Sequence, residues 1–129
     1  MRKIFIIEDE TDALLILKSI LQKKGYDILV SSSGSMVLNL AEEFKPDIVI
    51  LDIKLDKNYD GKNICSEIKK NPATRNIKVI LCSAYAMPSG KSFGCNEDAF
   101  IQKPFTGDQL LNKITELLAV ETPREAVAV

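Results

Sequence analysis

The sequence predicts a doubly wound α/β domain, (βα)5, built on a five-stranded parallel sheet with strand order 2-1-3-4-5. Three observations carry this. Short apolar, β-branched runs recur along the chain, separated by segments of helical periodicity. The run Ile48-Val49-Ile50-Leu51 is apolar throughout rather than alternating, as in a strand buried on both faces. Finally, Glu8-Asp9, Asp52, Ser83 and Lys103 each follow directly on a predicted strand, and the carboxyl ends of parallel strands are where ligands and chemistry collect in open α/β sheets.

The elements follow in order. Residues 3–7 form a short β-branched strand. Leu14, Leu15, Leu17, Lys18 and Leu21 recur at helical spacing across residues 11–24, and Gly25 stops that helix. Residues 27–30 read as a second strand, and the polar stretch 31–34 can cap a helix running to Phe44, which Pro46 terminates. The third strand spans 48–51. A turn region over 54–61 leads into a helix ending at Lys70, broken by Asn71-Pro72. Residues 77–82 form the fourth strand and 99–102 the fifth, and 108–120 make a closing amphipathic helix. Between Ser83 and Ala99, Pro88, Gly90 and Gly94 leave room for a short or frayed fourth helix at most. Strands alternating with helices imply right-handed crossovers. In the flavodoxin-like order, strands one and three flank the topological switch point, which brings Glu8, Asp9 and Asp52 together.

At 129 residues one domain is expected over 1–120, with a loose tail over 121–129. Hydrophobic residues at 46% and charged residues at 27% exclude disordered and fibrous classes. With 17 basic and 18 acidic side chains and no basic run beyond a pair of lysines, nothing suits a nucleic-acid backbone. No apolar segment is long enough to span a membrane and no cleavage pattern follows Met1-Arg2-Lys3, so a cytoplasmic protein is expected. Cys65, Cys82 and Cys95 lack metal-ligand spacing and read as small hydrophobes. The absence of histidine removes Ser-His catalysis, so any phosphohistidine belongs to a partner.

Three carboxylates in one crevice repel each other unless a cation is shared among them, and a hard divalent ion, Mg²⁺, suits a few carboxylates plus water and carbonyl oxygen. Lys103 adds a positive charge and Ser83 a hydroxyl donor. Such a pocket has what a phosphoryl transfer to Asp52 needs, an aspartate nucleophile with its charge neutralised. Taken singly, the residues have ordinary readings: Glu8-Asp9-Glu10 as acids at a helix N-terminus, Ser83 as a turn hydroxyl, Lys103 as a surface lysine. Asp52 alone resists such a reading, because a carboxylate continuing a buried strand is costly without a partner.

These features resemble the receiver domain of bacterial two-component response regulators over nearly the whole chain. Ile6-Ile7-Glu8-Asp9-Glu10 looks like its acidic pair and Pro46-Asp47-Ile48-Val49-Ile50-Leu51-Asp52 like its phosphoacceptor strand. Cys82-Ser83-Ala84 looks like its Ser/Thr-Ala switch, and Phe100-Ile101-Gln102-Lys103-Pro104-Phe105 like its aromatic-x-x-Lys-Pro-Phe signature. The resemblance implies that Asp52 is phosphorylated and that Asp9 and Asp52 ligate Mg²⁺ with the main-chain carbonyl of Lys54, Glu8 assisting through water. Ser83 would bind the phosphoryl group, Lys103 would pair with it, Phe100 would turn inward and the Lys103-Pro104 bond would be cis. It further implies a sensor histidine kinase or histidine phosphotransfer protein as donor, output to a downstream protein by contact, and a possible homodimer. No enzymatic activity is expected beyond self-phosphorylation and slow loss of the phosphoryl group.

Two segments depart from the family pattern. Leu55-Asp56-Lys57-Asn58-Tyr59-Asp60-Gly61 replaces the usual Met-Pro-x-Met-Asp-Gly loop, one residue longer and without proline, and the stretch from Ser83 to Phe100 is shorter than usual. The replacement loop, with Glu67, also satisfies the EF-hand calcium pattern. The β-type run before it cannot be the entering helix, and Asn63 stands where an apolar side chain belongs, so calcium is set aside. Two other classes compete with the receiver reading. One is an aspartate-nucleophile phosphatase of the haloacid-dehalogenase type, which needs an aspartate where Lys54 stands; the other is an unphosphorylated receiver-like adaptor.

Overall fold

A computed structural model describes residues 2–55, 59–85 and 92–119. Five parallel strands, β1 (Lys3–Ile7), β2 (Asp27–Ser31), β3 (Ile48–Asp52), β4 (Lys78–Ser83) and β5 (Ala99–Gln102), form one sheet in the order β2-β1-β3-β4-β5. This is the predicted flavodoxin-like order. Helices α1 (Thr11–Lys23), α2 (Val37–Phe44), α3 (Gly61–Lys70) and α4 (Gly107–Ala119) cover both faces.

Alternation along the strands sorts side chains into two cores. Phe5, Ile7, Val49, Leu51, Val79 and Leu81 pack against Val37 and Ala41 of α2 and Ile64, Cys65 and Ile68 of α3. Their strand neighbours Ile4, Ile6, Ile48, Ile50 and Ile80 pack on the other face against Leu14, Leu17 and Leu21 of α1 and Leu110 and Ile114 of α4. All five residues of β3 are buried, as its unbroken apolar run requires. Being covered on both faces, β3 can present Asp52 only at its end.

Two points bear on the sequence expectations. Between β4 and β5, where the sequence leaves room for a short or frayed fourth helix at most, residues 84–85 and 92–98 form bends and irregular backbone. Gly94 and Asn96 adopt positive φ of 81° and 64°, which an α-helix cannot accommodate, and Glu97 folds back to accept from Phe93 N at 2.8 Å and from Ser92 Oγ at 3.1 Å. Secondly, the serines after β2 do not cap α2. Ser31 completes β2, and its hydroxyl bonds the Ser33 carbonyl at 2.9 Å; α2 begins only at Val37, behind Met36 at φ 64° with no side-chain cap. Serine side chains compete well for nearby backbone groups, and here turn bonding outweighs capping.

Elsewhere boundaries shift by a residue or so, and Gly25, at φ 91°, follows the end of α1 as expected. Among the described residues no helix is long and apolar enough to cross a membrane. The predicted tail over 121–129 lies outside the described residues.

Candidate functional site

The four carboxyl ends meet in one crevice. Glu8 directly follows β1, Asp52 ends β3, Ser83 ends β4, and Lys103 directly follows β5. Glu8, Asp52 and Ser83 are buried, with 3%, 8% and 5% of their surface exposed, whereas Asp9 is exposed. One oxygen each from Glu8, Asp9 and Asp52 lie within 4.8 Å of one another. The Lys103 ammonium enters between two of these acids, 2.5 Å from Glu8 Oε1 and 2.7 Å from Asp52 Oδ2.

The electrostatics follow from that burial. Withdrawal from water raises the Glu8 carboxyl to about 7; the Lys103 hydrogen bond pulls it back down, while the Asp52 charge pushes it up. Burial alone would lower the Lys103 pKa, but hydrogen bonds to Asp52 and Glu8 overcome this and hold the ammonium above its ordinary range.

Asp52 is fixed at both oxygens. While Oδ2 accepts from Lys103, Oδ1 accepts from the Lys54 main-chain N–H at 3.0 Å. The backbone just beyond is pinned by a bridge between Lys54 and Asp60 and by Gly61 N donating to Ile53 O at 2.8 Å. This is where Gly61 matters: a Cβ there would collide with the Asp52 carbonyl oxygen and stand 2.8 Å from Ile53 Cα. Only glycine permits this approach. Sequence reasoning passed over it, because a glycine opening a helix after a polar loop looks like ordinary turn chemistry.

Ser83 Oγ accepts from Tyr85 N at 3.0 Å, which leaves the hydroxyl proton to donate elsewhere. Phe100 is half-buried, its ring centroid 5.0 Å from that of Phe93 at 52°. The Lys54 ammonium stands 3.4 Å from the Tyr85 hydroxyl and 5.1 Å from its ring centroid. The Lys103-Pro104 peptide is cis, as the resemblance implied.

The oxygen-only donors of Glu8, Asp9 and Asp52 fit a hard divalent cation. The EF-hand alternative finds no support in the described residues. Strand β3 occupies the place of an entering helix, and Asp60 caps α3 by accepting from Lys62 N at 2.8 Å. Asp56 and Asn58 lie outside the described residues.

A parallel sheet carrying three clustered carboxylates, a lysine and a hydroxyl at adjacent strand ends defines a receiver-type domain. The family model for the response regulator receiver domain matches residues 4–115. The chain is 36% identical over 114 residues to the transcriptional regulatory protein YxdJ of Bacillus subtilis, covering 88% of this chain and 49% of that protein. It is 32% identical to the probable transcriptional regulator ycf27 of Guillardia theta, covering 90% and 45%. It thus spans about half the length of the curated relatives it matches. The signal receiver domain of a histidine kinase from Syntrophus aciditrophicus superposes with a TM-score of 0.83 at 30% identity, covering 92% of this chain and 91% of that one. A CheY-like receiver domain protein from Methanospirillum hungatei gives 0.83 at 29%, covering 92% and 94%. The chain belongs to the response regulator receiver domain family of two-component signal transduction.

Proposed function

We propose that this receiver accepts a phosphoryl group on Asp52, in a Mg²⁺-dependent reaction, from the phosphohistidine of a sensor kinase or phosphotransfer protein. The observation that carries the reading is the two-sided hold on the Asp52 carboxylate, by Lys103 at 2.7 Å and by the Lys54 N–H at 3.0 Å. An aspartate held at both oxygens and oriented at the mouth of a crevice is a positioned nucleophile. An Asp52 oxygen attacks phosphorus in line as the donor's P–N bond breaks, and the product is an acyl phosphate. Lys103 then shifts its hydrogen bonding from the carboxylates to the phosphoryl oxygens, and Ser83 turns its free hydroxyl proton toward them. Asp9 and Asp52, with the Lys54 carbonyl, would hold Mg²⁺, Glu8 assisting through water. Bound there, the ion neutralises charge shared by the carboxylates and the phosphoryl group.

The switch element is Ser83 with Phe100. Drawing the Ser83 end of β4 toward the phosphoryl group opens space for the Phe100 ring, which rests against Phe93, and the moving surface signals by contact with a downstream protein. On this reading the domain catalyses nothing beyond its own phosphorylation and slow dephosphorylation. Incubation with acetyl phosphate and Mg²⁺ should add one phosphoryl mass, lost in Asp52→Asn. Undiminished phosphorylation of that variant would overturn the assignment.

A further inference from the structure

Away from the phosphoryl crevice, two thiols separated by 30 residues meet in the core beneath α3. Cys65, fully buried on the inward face of α3, donates from Sγ to the main-chain oxygen of Cys95 at 3.3 Å. Cys95, 4% exposed, belongs to the same core face, and its own Sγ donates to Glu97 Oε1 at 3.5 Å. The third cysteine, Cys82, packs on the opposite face of the sheet among the side chains of α1 and α4. The sheet therefore separates it from the pair.

We propose that Cys65 and Cys95 form a redox-responsive dithiol that closes to an intramolecular disulfide, tying α3 to the segment between β4 and β5. A disulfide brings the Cβ atoms to about 3.8 Å, and with Cys65 Sγ already 3.3 Å from the Cys95 main-chain oxygen, turning the Cys95 side chain away from Glu97 with a small backbone adjustment would join the two sulfurs. Cys95 can make that adjustment, because it sits on non-helical backbone between Gly94 and Asn96, both at positive φ.

With hydrogen peroxide as oxidant, the Cys95 sulfur attacks one peroxide oxygen and the O–O bond breaks, giving a sulfenic acid and water. The Cys65 sulfur then displaces the sulfenic oxygen as a second water and forms the S–S bond. Two protons and two electrons pass from the thiols to the peroxide. Burial pushes both thiols up from their ordinary range, so the closed domain reacts slowly and the rate reports opening of the segment that carries Cys95. In a reducing compartment such a bond is transient, as suits a sensor rather than a structural staple. The bond bears on signalling through Phe93, two positions before Cys95, whose ring supports Phe100.

The test uses the full, reduced wild-type chain, so that no core substitution is required. After exposure to hydrogen peroxide under native conditions, intact mass should fall by two hydrogens. A non-reducing peptide map should show a single cross-link, Cys65 to Cys95, reversed by dithiothreitol, while Cys82 stays free for alkylation after unfolding. Cys82→Ala should form the same bond. Three free thiols after an exposure that fully oxidises glutathione would overturn the proposal. So would a cross-link through Cys82, a disulfide between chains, or oxidation to sulfinic acid without a bond.

Discussion

Replacing Lys103 by methionine keeps most of the side chain's bulk and removes the ammonium that lies 2.5 Å from Glu8 and 2.7 Å from Asp52. The two carboxylates it leaves behind are 4% and 10% exposed. Stripping the partner from a buried ion pair costs about 3–5 kcal/mol, because an uncompensated charge stays out of water. The lysine itself is 26% exposed, and solvent screening brings the expected loss to about 2–4 kcal/mol.

Proton uptake limits that loss, and this gives the prediction its pH dependence. Glu8 already titrates near 7 through burial, even with Lys103 pulling it down, and without the lysine it rises further. A carboxyl whose folded pKa lies above its unfolded 4.5 destabilises the fold in its charged form. Its penalty is absent below 4.5, grows as pH rises and is complete above the folded pKa. In wild type that window closes near 7; in Lys103→Met it extends higher. Urea unfolding at pH 5 and pH 9 should therefore show the larger deficit at pH 9, with the pH 5 deficit reflecting mainly the lost Asp52 contact. Millimolar Mg²⁺ at pH 9 should restore more stability to the variant than to wild type. A deficit below about 1 kcal/mol, the range of an exposed pair, or one equal at both pH values, would refute the buried-charge reasoning.

Other measurements probe different parts of the site. Gly61→Ala must push the new Cβ against the Asp52 carbonyl, and an overpacking cost of about 1–3 kcal/mol together with slower phosphorylation is expected; unchanged stability would show that the loop yields freely. Asp9→Ala should weaken Mg²⁺ binding, measured by titration calorimetry, far more than Asp56→Ala, and a tight calcium isotherm lost only in Asp56→Ala would reverse the assignment. Beryllofluoride should shift the amide resonances of Phe93 and Phe100, and changes confined to the Asp52 pocket would sink the Ser83–Phe100 switch. Lys54 and Tyr85, 3.4 Å from ammonium to hydroxyl, stand two positions beyond Asp52 and Ser83, from where they would flank the approach of water to a phosphoryl group on Asp52. Lys54→Asn and Tyr85→Ala should each lose phosphate faster than wild type, and equal rates would place control of the lifetime elsewhere.

The parts of this molecule legible in its sequence are those fixed by short-range chemistry. The apolar run of β3, Gly25 after α1 and the break at Asn71-Pro72 each follow from local sterics or burial, and the strand-end position of every site residue follows from them in turn. The parts not legible depend on competition between near-equal local options. Ser31 could have capped α2, yet its hydroxyl is satisfied by Ser33 within the turn. In the segment before β5, Pro88, Gly90 and Gly94 announce irregular backbone, but not that Gly94 and Asn96 take positive φ while Glu97 folds back on Ser92 and Phe93. Gly61 and the Cys65–Cys95 contact were hidden for another reason: their significance lies in what the fold brings against them, and no spacing rule announces that.

Charge balance explains why one lysine and three acids form a site poised to change rather than a settled ion cluster. With all three acids ionised, Glu8, Asp9 and Asp52 against Lys103 leave two negative charges uncompensated, the charge that one divalent cation cancels. Without a cation, the most deeply buried of the three, Glu8, responds by holding its proton to about pH 7. Transfer of a phosphoryl group to Asp52 would convert one carboxylate into an acyl phosphate with more negative charge and more acceptor oxygens, which Lys103 would reach by loosening its hold on Glu8. The lysine that stabilises the resting crevice would thus be the group whose rearrangement reports phosphorylation. Because Lys103 N donates to Ser83 O at 2.8 Å, the ends of β4 and β5 are joined where that rearrangement begins. On the proposed reading, a displacement of Lys103 would be carried through this bond to Ser83 and along β5 to Phe100.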